Sequence, residues 1–278
     1  MENSTMDRLE RPSNFVLVPA TIAILCGTIA DILIISATIK TRKWYSTFNL
    51  YVMNWCLCDA LLMVLQPTTY TVIFSVELVD HKVFCIWMGE IVVITIGNFI
   101  FVAALTLDWF FAQYFENFST KIRRFSKVQI GAIWVTVVIL TIYICCKCIV
   151  DKSHVWIFSV TTVSLIMYFI VQILWFIKRK TSSPANEKSN LAVALISCYF
   201  LCWFPNYLIQ AIKTFEGSSE GSQESNVVTS LIGYMNSVIM LLLLYYGDGE
   251  MKKGFNNLCS RKSEETEDQQ NCETLEAK

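Results

Sequence analysis

Three acidic residues, Asp31, Asp59 and Glu90, lie inside long apolar stretches of the sequence. A charged side chain at the centre of a bilayer costs at least about 2.5 kcal/mol, so an acid there usually serves a function. We predict that Asp59 faces the interior of a helix bundle, either as a cation ligand or as a protonated group hydrogen-bonded for packing. If Asp31 is its neighbour, the two acids share a proton or a cation, because two adjacent carboxylates cannot both stay charged cheaply.

The other reactive residue types do not form an enzyme site. The sequence has two histidines, His81 and His154, and no Ser/His/Asp or HExxH arrangement. Most of the 11 cysteines lie in apolar stretches, and no CxxC pair comes with a second pair at the spacing of a zinc site. The formal net charge of -1 provides no basic surface for nucleic acid. We therefore expect neither enzymatic activity nor nucleic-acid binding.

The elements that must position these acids are long apolar helices. The chain is 54% hydrophobic and 16% charged, whereas soluble proteins carry about 25% charged residues. A helix needs about 20 mostly apolar residues to cross a bilayer. Seven stretches meet that length: 14–39, 47–76, 83–115, 127–148, 155–177, 189–213 and 225–247. They predict an all-α bundle of seven transmembrane helices over residues 14–247.

The distribution of lysine and arginine predicts the orientation of this bundle. Basic residues cluster after the first, third, fifth and seventh stretches, whereas the opposite connections contain few of them. Because cytoplasmic loops carry the excess of basic residues, we expect an outside N-terminus, a cytoplasmic C-terminus and a multi-pass location in the plasma membrane. Residues 1–13 then form an extracellular tail. In that tail, Asn3 of an Asn-Ser-Thr triplet is a candidate N-glycosylation site.

A short amphipathic helix is predicted after the seventh stretch, at residues 248–260. Met251, Phe255 and Leu258 have helical spacing, with lysines on the other side, which suits a helix lying on the inner leaflet. Cys259 at its end is a candidate for palmitoylation. Residues 261–278 are polar and acidic and predict a disordered cytoplasmic tail.

Four of the seven stretches carry distinctive motifs. Residues 54–62 of the second read Asn-Trp-Cys-Leu-Cys-Asp-Ala-Leu-Leu, and Trp134 lies in the middle of the fourth. The sixth contains Cys-Trp-Phe-Pro at 202–205, and the seventh contains Asn236 followed by Ser237. Together these motifs resemble those of the rhodopsin-like family of G-protein-coupled receptors, over residues 14 to 259.

The resemblance implies a role for Asp59. In the family this acid binds sodium together with polar side chains of the third and seventh helices, and here Asn98, Asn236 and Ser237 can supply them. Sodium is thus the one cofactor that we consider.

The resemblance also implies a switch and a disulfide. Pro205 bends the sixth helix because it removes a backbone hydrogen bond, and Trp203 registers ligand contact. The family's cysteine at the outer end of the third helix is Cys85. Its implied partner is Cys148, with Cys145 and Cys146 as alternatives.

The chain departs from the family at its inner face. Asp108-Trp109-Phe110 stands in place of Asp-Arg-Tyr, so the arginine that contacts the G protein is missing. Asp31 replaces the usual asparagine of the first helix, and the seventh helix lacks Asn-Pro. The residues that we predict for a G-protein face are Asp108, Trp109, Phe110, Arg123, Arg124, Lys178 and Arg179.

The ligand class stays open. Val92 stands where amine receptors have an aspartate, and Tyr234 where opsins have the retinal-binding lysine. An apolar cavity with few polar groups suits a lipid, a steroid-like molecule, an odorant or a short peptide. The residues that we predict to line it are Gln66, Glu90, Asn206, Tyr207, Gln210 and Tyr234.

These observations predict a cell-surface receptor that senses an extracellular ligand and signals to a heterotrimeric G protein. Membrane lipids surround it, and phosphorylation of its tail would recruit arrestin. One alternative is a non-signalling or decoy receptor, because Trp109 replaces arginine. A second alternative is a cation transporter in which Asp31 and Asp59 form the path.

Overall fold

The computed structural model describes residues 14–41, 46–75, 81–151, 187–216 and 223–259, together with residues 166, 169, 170, 172, 173 and 176. Helix is the regular secondary structure throughout this part of the chain. The helices are α1 (Asn14–Lys40), α2 (Thr47–Ser75), α3 (His81–Tyr114), α4 (Glu116–Arg123), α5 (Ser126–Asp151), α6 (Glu187–Glu216), α7 (Gln223–Gly247) and α8 (Gly249–Cys259).

Six of these helices are long and apolar enough to cross a membrane. Their spans, found within the described residues, are Val18–Lys40, Thr47–Leu65, Ile94–Tyr114, Ser126–Lys147, Asn190–Ile209 and Val228–Gly247. They correspond to six of the seven predicted stretches. The predicted stretch 155–177 falls mostly outside the described residues, so the count of seven and the orientation stay predictions. The tails 1–13 and 261–278 also lie outside them.

Large apolar side chains cover the outside of the bundle. On α1, Val18, Ile22, Leu25, Ile29 and Ile32 are all more than half exposed. They recur every three or four residues, so they form one stripe along the helix. A stripe of this kind is stable where lipid rather than water surrounds it.

Aromatic and aliphatic side chains fill the inside. Trp55 of α2 and Tyr199 of α6 are both fully buried and meet edge to face, with ring centroids 5.4 Å apart. The packed helix pairs include α1 with α7, α6 with α7, α2 with α3, and α3 with α5. The bundle thus brings α1, α2, α3 and α7 around a common interior.

The short helix α4 follows α3 and is not predicted by the apolar pattern. Its eight residues, Glu-Asn-Phe-Ser-Thr-Lys-Ile-Arg, are mostly polar, so they do not resemble a membrane span. α4 packs against α3 and ends at Arg123, which pairs with Asp108 of α3.

The helix α8 lies where a short amphipathic helix is predicted. Asp248 separates it from α7, and its Oδ1 accepts bonds from the backbone N–H groups of Glu250 (2.9 Å) and Met251 (3.2 Å). Met251 and Phe255 are buried, and the Thr38 hydroxyl of α1 lies 3.8 Å from the Met251 sulfur. The apolar side of α8 therefore packs on α1, and the predicted placement of α8 on the inner leaflet stays a prediction.

Candidate functional site

A buried carboxylate joins three helices at the centre of the bundle. Asp59 of α2 is fully buried and accepts hydrogen bonds from Asn98 Nδ2 (2.8 Å), Ser237 Oγ (2.9 Å) and Asn236 Nδ2 (3.2 Å). Asn98 belongs to α3, and the other two donors belong to α7. The structure thus brings together the four residues that the resemblance implies for sodium binding.

Helical spacing places these residues. On α2, Trp55, Asp59 and Leu62 are buried at intervals of three or four residues, so they share one face. On α7, Gly233, Ser237 and Met240 follow the same rule. Asp59 and Ser237 therefore lie on the inward faces of their helices.

A second acid lies beside the first. Asp31 of α1 is fully buried, and both of its carboxylate oxygens lack a hydrogen-bond partner. Its carboxyl is close enough to Asp59 for the two acids to repel each other when charged, and the Ser237 hydroxyl and the Cys56 thiol lie near enough to donate to it after a small adjustment. Asp31 and Asp59 are thus the neighbours that the sequence suggests. We call Asp31, Asp59, Asn98, Asn236 and Ser237 the acid cluster.

The acid cluster has an excess of hydrogen-bond acceptors. Besides the two oxygens of Asp31, Asn98 Oδ1 and Asn236 Oδ1 are buried without a partner. Each unsatisfied buried group costs about 1–3 kcal/mol, and an acceptor is satisfied only by a proton donor or a cation. Carboxylate, amide and hydroxyl oxygens are the ligands that hard cations prefer. The residues present therefore fit a cation such as Na+.

The predicted switch residues lie on α6, next to α7. Trp203 is buried, stacks on Tyr207 with ring centroids 6.2 Å apart, and meets Tyr234 edge to face at 6.1 Å. A Cβ added at Gly233 would lie 2.9 Å from the Trp203 ring, so only glycine permits this approach. Pro205 lies inside the same helix, two residues after Trp203.

The predicted ligand-pocket residues are placed in part. Asn206 is buried and donates from Nδ2 to Ser230 Oγ at 3.0 Å, which links α6 to α7. Tyr207 and Tyr234 are buried nearby, and the Tyr207 hydroxyl lies 3.2 Å from that of Tyr199. The side chains of three further predicted residues lie outside the described part of the chain: Gln66, Glu90 and Gln210.

The cysteine near the N-terminus of α3 is oxidised. Cys85 is buried and disulfide-bonded. The side chain of Cys148 lies outside the described residues, so the Cys85–Cys148 pair stays a prediction. The same holds for palmitoylation of Cys259 and glycosylation of Asn3.

Near the C-terminal end of α3, an arginine from α4 binds the acid of the Asp-Trp-Phe motif. Arg123 donates from Nε to Asp108 Oδ1 and from Nη2 to Asp108 Oδ2, both at 2.8 Å. Asp108 is buried, whereas the Arg123 side chain is 44% exposed. The hydrogen bonds to Asp108 raise the pKa of Arg123, so the guanidinium stays charged.

Trp109 is buried between α3 and α6. Only 4% of it is exposed, and it packs with Ala192 and Val193 of α6 and against Phe48 and Phe110. Of the residues predicted for a G-protein face, Asp108 and Trp109 are therefore buried in this conformation. Arg124 is exposed, and the side chains of Lys178 and Arg179 lie outside the described residues.

Part of the chain is similar to rhodopsin-like receptors. The alpha-1A adrenergic receptor of Bos taurus is 27% identical over 100 residues, which are 36% of this chain and 20% of that receptor. The alpha-1A adrenergic receptor of Homo sapiens is 28% identical over 91 residues, 33% of this chain and 18% of that receptor. The chain therefore matches about a fifth of the length of these curated relatives. No protein-family model matches it.

Proposed function

We propose that this protein is a cell-surface receptor that senses an extracellular ligand and signals to a heterotrimeric G protein. The observation that carries the proposal is the Asp59 site, in which one acid of α2 is bound by Asn98 of α3 and by Asn236 and Ser237 of α7. The partial similarity to a G-protein-coupled receptor and the six apolar helices of the described chain support it. A receptor of this kind is not an enzyme.

The ligand would bind beside Trp203. Asn206, Tyr207 and Tyr234 combine aromatic surface with a few polar atoms on α6 and α7. Such a lining suits a lipid, a short peptide or another small molecule. The matched relatives are adrenergic receptors, but Val92 stands where amine receptors carry an aspartate, which disfavours an amine. The Cys85–Cys148 bridge and a glycan on Asn3 belong to this outer side.

Sodium is the cofactor that we propose for the Asp59 site. Asp59 would hold the ion together with Asn98, Asn236 and Ser237, and the ion would supply positive charge to an interior that is rich in acceptors. We expect Asp59→Asn to abolish any effect of NaCl, relative to choline chloride, on ligand response. A sodium effect that survives the substitution would overturn this assignment.

The main alternative is a receptor that binds ligand without signalling. The observation that favours it is the burial of Trp109 against Ala192 and Val193. This apolar side chain packs between α3 and α6 at the position where the family has the arginine that contacts the G protein. In a cation transporter, the less favoured alternative, Asp31 and Asp59 would line the ion path.

The deciding experiment is a ligand screen in cells with a G-protein activation readout. The native chain is compared with Trp109→Arg and with Trp109→Phe, which keeps the apolar packing. A response of the native chain supports the signalling receptor. A response that appears only with Trp109→Arg would instead establish the non-signalling receptor, and ion flux in vesicles without nucleotide exchange would establish the transporter. Surface labelling of an N-terminal tag on intact cells tests the orientation.

A further inference from the structure

We propose that α4 is an interfacial helix that binds an anionic lipid surface through the side chains that face away from α3. The inference rests on the membrane spans of the described chain, and it does not need the protein to signal to a G protein. α4 connects the span that ends at Tyr114 to the span that begins at Ser126. Because the chain leaves the membrane at the first residue and re-enters it at the second, residues 115–125 must stay at the bilayer surface.

Three side chains fix the rotation of this connection on α3. Ser119 and Ser126 are only 3% and 7% exposed, and Arg123 donates both of its bonds to Asp108 of α3. Ser119, Arg123 and Ser126 follow one another at intervals of four and three residues, so they lie on one side of the helical path. The two remaining sides of α4 therefore face away from α3.

Aromatic side chains cover the first of these outward sides. Phe115, Phe118 and Phe125 are 54%, 49% and 59% exposed, and helical spacing places them on a common face. We call these three residues the aromatic stripe. An amphipathic helix at a membrane surface buries such a face in the region between headgroups and acyl chains, where aromatic rings are enriched.

The aromatic stripe continues the apolar outer surface of the neighbouring spans. The Phe118 ring meets that of Phe111 of α3, with centroids 5.0 Å apart, and Leu107, one turn earlier on α3, is 45% exposed. On the other side, Val128 of α5 follows Phe125 by three residues and is 68% exposed. One apolar band thus runs from α3 across α4 to α5. Because lipid surrounds the two spans at its ends, this continuity favours lipid over a protein partner.

Basic side chains cover the second outward side. Lys121 and Arg124 are both exposed, and their separation of three residues places them on one face, beside the aromatic stripe. Residues 115–128 contain four basic residues and one acid, so this segment attracts negative charge. In the predicted orientation it meets the cytoplasmic leaflet, whose anionic lipids attract basic residues at the membrane surface.

The test is amide hydrogen exchange of the full chain in lipid nanodiscs, read from peptides that cover residues 115–125. One set of discs contains phosphatidylcholine alone, and the other contains about one-third phosphatidylserine. Phosphatidylserine should slow the exchange of α4 by about fivefold or more, because each basic residue near an anionic surface contributes about that factor. Raising NaCl from about 0.05 M to about 0.5 M should remove most of the difference, because salt screens exposed charges.

The double variant Lys121→Gln with Arg124→Gln tests the basic side. It should lose the difference between the two kinds of disc. The matched control is Lys252→Gln with Lys253→Gln, which removes two exposed charges from α8 and should leave the difference at α4 unchanged.

Phe125→Ser tests the aromatic stripe. It should speed the exchange of α4 severalfold in both kinds of disc, because the helix loses part of its hold on the bilayer, while Tm stays close to that of the native chain. Tyr246→Ser is the matched control, since Tyr246 is a 79% exposed aromatic residue at the end of α7, and it should leave the exchange of α4 unchanged.

Equal exchange of α4 in the two kinds of disc overturns this inference. A lipid difference that survives the loss of Lys121 and Arg124 also overturns it, as does unchanged exchange in Phe125→Ser. Protection that appears only when purified heterotrimeric G protein is added would assign the aromatic stripe to a protein partner instead. Failure of the receptor proposal would be seen separately, in the ligand screen, whatever the outcome of the exchange measurements.

Discussion

Asp108 and Arg123 form a two-pronged ion pair in which both N–H···O bonds measure 2.8 Å. The acid belongs to α3 and the arginine to α4, 15 residues later in the chain. The resemblance to receptors leads one to look for the arginine beside the acid, at position 109. Here α4 supplies an arginine instead, so the ion pair holds α4 against the C-terminal end of α3.

Breaking this pair should loosen α4. In Asp108→Asn, the Arg123 guanidinium loses its charged partner, and we expect a loss of about 1 kcal/mol because the arginine is partly exposed to solvent. Tm should fall by about 2–4 °C in thermal unfolding of the purified chain. The control is Lys253→Gln, which breaks the exposed Lys253–Glu250 pair and should leave Tm unchanged. Equal effects of both changes would contradict the assignment.

The pH dependence of this pair follows from the raised pKa of Arg123. A group whose pKa is higher in the folded than in the unfolded protein stabilises the folded state. This stabilisation is complete at pH values below the pKa of the unfolded protein, and it is lost as the pH rises through the pKa of the folded protein. For Arg123 that window lies in strong alkali. The difference in Tm between the native chain and Asp108→Asn should therefore be constant from about pH 6 to about pH 9. A difference that decreases across this range would show that another group titrates in the pair.

Trp109 should contribute to the packing of α3 on α6. Truncation of a buried tryptophan to alanine costs about 3–5 kcal/mol, so Trp109→Ala should lower the free energy of unfolding strongly. Trp109→Phe retains an aromatic ring against Ala192 and Val193 and should cost less than half as much. Chemical unfolding of both variants in the same detergent measures this. A mild effect of Trp109→Ala would mean that this contact contributes little.

Gly233 should be intolerant of a side chain. In Gly233→Ala, the new Cβ would lie 2.9 Å from the Trp203 ring, and such overpacking costs about 1–3 kcal/mol. We expect a lower Tm and a shifted tryptophan emission maximum. Gly131→Ala is the matched control, because a Cβ there meets no atom within 4 Å; it should be neutral or slightly stabilising. A Gly233→Ala chain that unfolds like Gly131→Ala would refute the close approach.

Asp248 should act as the N-cap of α8. Asp248→Ala removes the acceptor for the backbone N–H groups of Glu250 and Met251, and a lost cap costs about 1 kcal/mol. Amide hydrogen exchange at these two residues should become about fivefold faster, since 1 kcal/mol corresponds to that factor. Asp248→Asn keeps an oxygen in place and should exchange nearly as the native chain does. Unchanged protection in Asp248→Ala would rule out the cap.

The Asp59 site shows what a sequence can predict here. The cost of a buried acid points to Asp59, and the resemblance implies polar partners on the third and seventh helices, which Asn98, Asn236 and Ser237 can supply. These are local patterns, and the structure brings the residues together. That they bind sodium stays a prediction, as do the seventh span, the orientation and the domain limits.

The region around Asp108 and Trp109 could not be predicted in the same way. α4 is short and polar, so no apolar pattern marks it, and its pairing through Arg123 depends on how the connection folds. The burial of Trp109 depends on the rotation of α3 against α6, which is a property of the packed bundle. The missing arginine of the Asp-Trp-Phe motif indicated that the predicted G-protein face differs from that of the family. It did not indicate that Arg123 would pair with Asp108.

The contact between Thr38 of α1 and Met251 of α8 spans 213 residues of chain, and Lys40 donates to the Asn257 carbonyl at 3.1 Å in the same place. The C-terminal end of α1 therefore reaches its final packing only after the chain has been synthesised as far as α8. A nascent chain that stops after Gly247 would leave Ala37 and Thr38 uncovered at the membrane surface.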